Sequence, residues 1–329
     1  MRLLGKLKYA SAMLVVCALL LAPATAGALT KVSLQLQWVH QAQFAGFYLA
    51  QDLGLYRQAG LEVEIRPGGP GIDPLSELAT LRCDFAMSWL SEALVMRSKG
   101  VDLVNLAQLI QRSALMLVVF NDRGISQIKD LDGRKVGLWR RQFAVPPRAL
   151  FAKLGIRVDE VSQNVSMAPF LQRAVEAATA MFYNEYHQLY QAGVDRDEIT
   201  VFDFAEHGLN FPEDGVYTME DTWRERRQVC QAFVQASLEG WRRAFIDQER
   251  ALASVMKRVN EANLASNLAH QRWMLKSMQQ LYTHRVGTAL MGQLSPYDLR
   301  QVNRVLVEQG FIPEPIEAKD FVAEAWRQP

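Results

Sequence analysis

The segment from Leu34 to Pro74, LQLQWVHQAQFAGFYLAQDLGLYRQAGLEVEIRPGGPGIDP, constrains the fold more than any other part of the chain. Val32, Leu34 and Leu36 alternate with polar residues, the period of two that marks a strand, and residues 44–53 then carry apolar side chains at helical spacing. Leu61, Val63 and Ile65 repeat the strand pattern, while Gly54 closes the helix and Gly60 turns the chain. Two strands joined through a helix lie parallel with a right-handed crossover, so the unit belongs to an open α/β sheet. Ligands of such sheets collect at the carboxyl ends of the strands. Those ends are residues 38–43, rich in aromatic and amide groups, and residues 68–73, nearly bare backbone.

The chain begins MRLLGKLK, with Arg2, Lys6 and Lys8 and no acid, and continues into the apolar run AMLVVCALLLA, Pro23 and the small residues from Ala24 to Ala28. This pattern reads as a secretory signal peptide cleaved after Ala26 or Ala28; the apolar run is shorter than the roughly 20 residues a membrane span needs. Cys17 lies mid-run behind Val16, which is not the small residue a lipid-attachment site requires. Losing the leader removes three of the 36 lysines and arginines and none of the 35 acids, a net of −2. That balance offers nothing to nucleic acid. Cys83 and Cys230 then remain, too few for a disulfide framework or a four-ligand zinc site; they read as small apolar residues, with a bridge between them in an oxidising periplasm as the alternative.

The mature length exceeds a single typical core, so two lobes are expected. After the opening unit the pattern gives a helix at 74–81, a strand at 84–87, a helix at 90–97 and strands at 103–108 and 115–120. The last, LMLVVF, is apolar on both faces, as in a buried strand or one crossing between lobes. Beyond the turn at Asn121 to Gly124 come a strand at 135–138, a helix at 145–154, a strand at 158–165, a helix at 168–178, a strand at 179–183, a helix to 192 and a strand at 199–204. A strand at 216–219 leads into a chain that is almost wholly helical after Asp221. The expected division is lobe 1 over 29–119 plus 216–329 and lobe 2 over 120–215, with hinges near 120–122 and 215–218.

The segments QLQWVHQAQFAGFYLAQDLGLYRQAGLEVEI, GGPG, CDFAMSW, IKDLDGRKVGLW and AATAMFYNEY together resemble periplasmic substrate-binding proteins of ABC importers. The branch is the one related to the yeast thiamine-pyrimidine synthase and to the formylaminopyrimidine-binding and aliphatic-sulfonate-binding proteins. The resemblance runs from about residue 34 to about residue 312. It implies an α/β, two-lobed Venus-flytrap fold of type II, each lobe a mixed sheet flanked by helices, with a helical C-terminal region. It further implies a periplasmic monomer without a cofactor that closes on a small molecule and hands it to an inner-membrane ABC permease. A thiamine-pyrimidine precursor or similar heterocycle leads as ligand; aliphatic sulfonate, nitrate-like anions, flavin-type ligands and a ligand-sensing role stay open. The synthase branch relies on a donor histidine and a CCCFC segment, whereas here Glu92 aligns with that histidine and no such segment exists. With no G-x-S-x-G, H-E-x-x-H or C-x-x-C either, a carrier is expected rather than an enzyme.

Trp38, Phe44, Trp89, Trp139, Tyr183 and Tyr186 stand at or just past predicted strand ends, where flat rings would stack on a flat heterocycle; any one of them also reads as a core aromatic. Trp38 and Tyr183 are favoured, since their strand ends would meet across the cleft. Gln43 adds an amide. Gly69, in the Gly-Gly-Pro-Gly turn before the helix at Pro74, leaves backbone N–H groups open to an oxygen. Ser88 and Ser91 offer hydroxyls or helix caps. Asn184 and Glu185 follow a strand directly and suit an aminopyrimidine, with Glu92 as a counterpart in lobe 1. The pair Arg140 and Arg141 suits an anion or is a solvated charge run. His40 and His187 carry little specificity.

Overall fold

The computed structural model describes residues 28–283 and 291–324, with backbone alone at 141 and 142; the expected leader, Ala28 apart, lies outside these residues. Strand β1 (Thr30–Gln35) pairs in parallel with β2 (Leu61–Arg66), setting Val32 against Val63 and Leu34 against Ile65. Between them a 3-10 turn (Ala42–Phe44) runs into helix α1 (Ala45–Asp52), followed by the short α2 (Leu55–Gln58). Gly54 and Gly60 have φ of 70° and 77°, the left-handed region where a side chain is strained. The opening unit is therefore the expected strand, helix and strand.

Lobe 1 continues with α3 (Pro74–Ala79), β3 (Phe85–Ser88), α4 (Leu90–Ser98) and β4 (Leu103–Gln108). Lobe 2 holds β5 (Leu115–Phe120), β6 (Lys135–Leu138), α5 (Val145–Leu154), β7 (Asp159–Ser162), α6 (Ala168–Leu171), β8 (Ala177–Met181), α7 (Glu185–Gln191) and β9 (Ile199–Asp203). The chain returns to lobe 1 through β10 (Gly215–Met219) and continues as α8 (Glu220–Glu225), α9 (Arg227–Ile246), α10 (Gln248–Glu261), α11 (Leu268–Thr283), α12 (Pro296–Glu308) and α13 (Ala318–Phe321).

Each lobe is built on a five-stranded sheet, in the orders β2-β1-β3-β10-β4 and β7-β6-β8-β5-β9. The two orders are equivalent. In each, the fourth strand is the one that arrives from the other lobe, and it alone runs antiparallel to its neighbours. This corrects the expected boundary. Strand β5, read as the end of lobe 1, is an inner strand of the second sheet, paired with β8 and β9. Its apolar character on both faces follows from burial of all six residues. The chain therefore crosses between lobes at residues 109–114 and 204–214 rather than at 120–122 and 215–218.

The two crossings run side by side. The Leu109 and Ile110 N–H groups donate to the carbonyls of Asp214 and Glu213 at 3.3 and 3.2 Å. Asn210 accepts from the Ser113 N–H at 2.8 Å and donates to the Gln111 carbonyl at 3.0 Å. The expected helix at 168–178 is also shorter: after one turn Arg173 takes a φ of 59° and strand β8 begins at Ala177. Its alanines suit either state; pairing with β5 and β6 decides for the strand.

Helices α1 and α9 approach closely through glycines. A Cβ on Gly46 would fall 2.2 Å from the Trp241 ring, and one on Gly240 would fall 2.2 Å from the Gly46 carbonyl oxygen. Cys83 and Cys230 are both buried and free. Helix α11 touches both lobes: Gln271 accepts from the Ala42 N–H at 2.6 Å, while the Trp273 indole donates to the Phe182 carbonyl at 3.0 Å.

Candidate ligand-binding cleft

A cleft of about 650 Å³ opens between the lobes, within the range that holds drug-sized ligands. Lobe 1 brings the loops after β1, β2 and β3 to it, and lobe 2 the loops after β6, β7 and β8. These are carboxyl ends of parallel strands in both sheets, where the topology directs ligands.

Trp38 follows β1 and is half-buried in the lining. Its carbonyl accepts from the Gly68 N–H at 2.9 Å, and a Cβ on Gly68 would stand 2.7 Å from the Trp38 nitrogen. Glycine at 68 is what lets the two loops touch. Gly69 lines the cleft with a φ of 141°. The start of α3 is not open to a ligand, however: Asp73 accepts from the Leu75 and Ser76 N–H groups at 3.1 and 3.3 Å.

Trp89, at the start of α4, is buried beside the cleft and meets Phe143 of lobe 2 edge to face, centroids 4.5 Å apart at 85°. Trp139 also lines the cleft, its indole N–H donating to the Asn164 carbonyl at 3.1 Å. Tyr183 is buried at the end of β8, and its hydroxyl has no hydrogen-bond partner among the described residues. Burial, then the nearby Asp214, Glu213 and Glu185, drive its phenol far above the ordinary range.

Glu185 and Asn184 line the lobe 2 side. The Glu185 carboxylate accepts from the Met181 N–H at 3.0 Å and the Asn184 amide at 2.7 Å; burial nevertheless pushes its carboxyl up to about 7. Glu92 lines the opposite side and accepts from the Ser88 hydroxyl. Ser88 is therefore a support beneath Glu92, fully buried and off the lining. Arg140 is exposed at the wall and donates to the Ser162 hydroxyl at 2.6 Å.

Two further expected contacts are not brought to the cleft. Phe44 is wholly buried and packs edge-on against Tyr48 at 6.5 Å; it starts α1 and faces the core of lobe 1. Tyr186 turns toward Phe182, Tyr190 and Trp273. One helical residue past Glu185 points about 100° around the axis, which is enough to move it from cleft to interface. His40 pairs with the Tyr48 hydroxyl at 2.8 Å. Among the described residues no cluster of three His, Cys, Asp or Glu side chains could hold a metal.

The floor joins Gln43, expected from the sequence, to Gln37, Gln41 and Asp214, which the sequence did not single out. Gln43 donates to both Asp214 oxygens, at 3.0 and 2.9 Å, and Gln37 donates to the same carboxylate. Gln41 donates to the Gln43 carbonyl at 2.6 Å. Asp214 has a φ of 58° and is fully buried, which raises its carboxyl to about 7 against the lowering effect of Gln43 and Gln37. Three glutamines in the stretch QWVHQAQ were a visible signal; their partner lies far downstream and was not.

Comparison with known proteins narrows the reading. A family model described as NMT1/THI5 like matches residues 41–251. The chain belongs to the NMT1/THI5-like family. A relative, the riboflavin-binding protein RibY of Chloroflexus aurantiacus, is 25% identical over 264 residues, 78% of this chain and 74% of that one. The formylaminopyrimidine-binding protein of Halalkalibacterium halodurans is 24% identical over 245 residues, covering 72% and 73%. Among solved structures, the periplasmic aliphatic sulphonate binding protein SsuA from Escherichia coli superposes with a TM-score of 0.66 at 14% identity, over 89% of this chain and 92% of that one. At that identity the likeness speaks for the fold, and this NMT1/THI5-like chain has the two-lobed fold of periplasmic binding proteins.

Proposed function

We propose that this chain is an extracytoplasmic solute-binding protein that closes on a flat nitrogen heterocycle and presents it, chemically unchanged, to an ABC permease. One observation carries the reading: Trp38 from one lobe and Trp139 and Tyr183 from the other converge on a single cleft with amide groups between them. A ligand that touches both lobes stabilises the closed state by its differential contacts, and the paired crossings at 109–114 and 204–214 are where the rotation would be absorbed. The leader at the N-terminus supports export. Relatives named for riboflavin and formylaminopyrimidine support a heterocycle. The lining argues against a sulfonate, because Asp73, Glu92 and Glu185 outnumber Arg140, which is exposed and already bonded to Ser162.

A thiamine-pyrimidine precursor is the leading ligand. A flavin is the second reading, favoured by a cleft with more room than one pyrimidine ring fills. The lining groups stack, donate and accept, which is all that a carrier needs.

A thermal-shift screen of the mature protein tests this. A ligand at about 100 times its dissociation constant should add about 2.7 kcal/mol of stability. Stabilisation by aminopyrimidines or flavins is expected, with the recovered ligand unaltered by mass spectrometry. Stabilisation by ethanesulfonate alone, or recovery of a transformed product, would overturn the reading.

A further inference from the structure

The glutamine cluster on the cleft floor has a fixed polarity. An ionised carboxylate only accepts hydrogen bonds, so above about pH 7, where Asp214 has lost its proton, Gln37 and Gln43 must turn their N–H2 groups toward it. The Gln43 carbonyl is then committed to the Gln41 amide at 2.6 Å, which fixes Gln41 in turn. What remains are the carbonyl oxygens of Gln37 and Gln41, with one N–H on each of the two amides. Both residues line the cleft, and neither carbonyl has a partner among the described residues. The floor therefore offers acceptors.

Resting on the solute-binding reading above, we infer that Asp214 is a positioning residue that orients Gln37, Gln43 and Gln41, so that the cleft selects ligands presenting N–H donors. An exocyclic amine or an imide edge fits. A heterocycle whose nitrogens are alkylated leaves the carbonyls unpaired, a mismatch that binding sites penalise heavily. The discrimination originates in a residue of the second crossing between lobes, which ties the choice of ligand to the segment joining them.

The test is calorimetric titration of the mature protein with four probes: the hydroxymethyl aminopyrimidine of thiamine, its dimethylamino analogue, riboflavin and imide-methylated riboflavin. In the wild type the donor-bearing member of at least one pair should bind about tenfold or more tightly than its methylated partner. Asp214→Asn keeps a residue that tolerates the left-handed backbone but allows a glutamine to turn over, and should collapse that ratio to near one. Gln37→Met removes one acceptor directly and should reduce the ratio even if Asp214→Asn folds poorly. A heterocycle that binds with an unchanged ratio in both variants overturns this inference alone, as does a wild type indifferent to methylation. A wild type that binds none of the four overturns the parent reading and this inference with it.

Discussion

The imidazoles of His187 and His270 face each other between the lobes with their Nδ1 atoms 2.9 Å apart. His270 Nε2 lies 3.0 Å from the Asn184 carbonyl oxygen, which only accepts, so the His270 proton sits on Nε2 and its Nδ1 accepts from His187. Asn184 passes the contact on to Glu185 at the cleft. His187 also stacks on Trp273, centroids 4.8 Å apart. His270 cannot take a second proton, which would go on Nδ1, without setting N–H against N–H.

Burial, then the neighbouring His187, lowers the His270 imidazole from 6.5 to about 4. Between those values the unfolded chain binds more protons than the folded one, so stability rises with pH across the interval and is lost as pH falls from about 6.5 toward about 4. His270→Gln should flatten this acid limb in urea denaturation measured against pH. An unchanged limb would assign it to other groups.

Glu213 acts in the opposite direction. One of its oxygens accepts from the Ser113 hydroxyl and the Ala114 N–H at 2.7 and 2.8 Å, while the other is buried without a hydrogen-bond partner among the described residues. Burial raises its carboxyl from 4.5 to about 8. The stability it contributes is full below about 4.5 and is lost as pH rises through about 8. Glu213→Gln retains the accepting oxygen and should raise the melting temperature near pH 9 while changing it little near pH 5; equal shifts at both would contradict the assignment.

Trp38→Ala should weaken binding of an aminopyrimidine or flavin by about 1 to 3 kcal/mol, the range for stacking of a base on an aromatic ring. Titration calorimetry reads the affinity and thermal melting reads the fold. Unchanged affinity with a lower melting temperature would make the ring a packing element only.

Gly240→Ala should destabilise the protein by about 1 to 3 kcal/mol, the usual cost of overpacking, because the added methyl meets the Gly46 carbonyl. Urea unfolding measures this. A loss below about half a kcal/mol would mean that α1 and α9 can slide apart at little cost.

Much of this architecture was legible from local pattern. The alternation of Val32, Leu34 and Leu36 and the turn glycines Gly54 and Gly60 fixed the opening unit, and strand-end position placed Trp38, Trp139, Tyr183 and Glu185 at the cleft. What escaped the sequence depends on distant partners. LMLVVF reads the same as a last strand of one sheet or an inner strand of the next, and only pairing with β8 and β9 distinguishes them. Phe44 and Tyr186 each sit beside a lining residue, Gln43 and Glu185, and one residue along a helical turn sends Phe44 into the core and Tyr186 into the interface with α11. Asp214 was illegible because a lone acid gains meaning only from glutamines folded back onto it.

The ladder of hydrogen bonds between residues 109–110 and 213–214 makes the connection between lobes a double-stranded strap. Two chains tied edge to edge flex across their width far more easily than they shear lengthwise. Bending across that strap would swing the lobes along an arc, with the greatest travel at their outer rims.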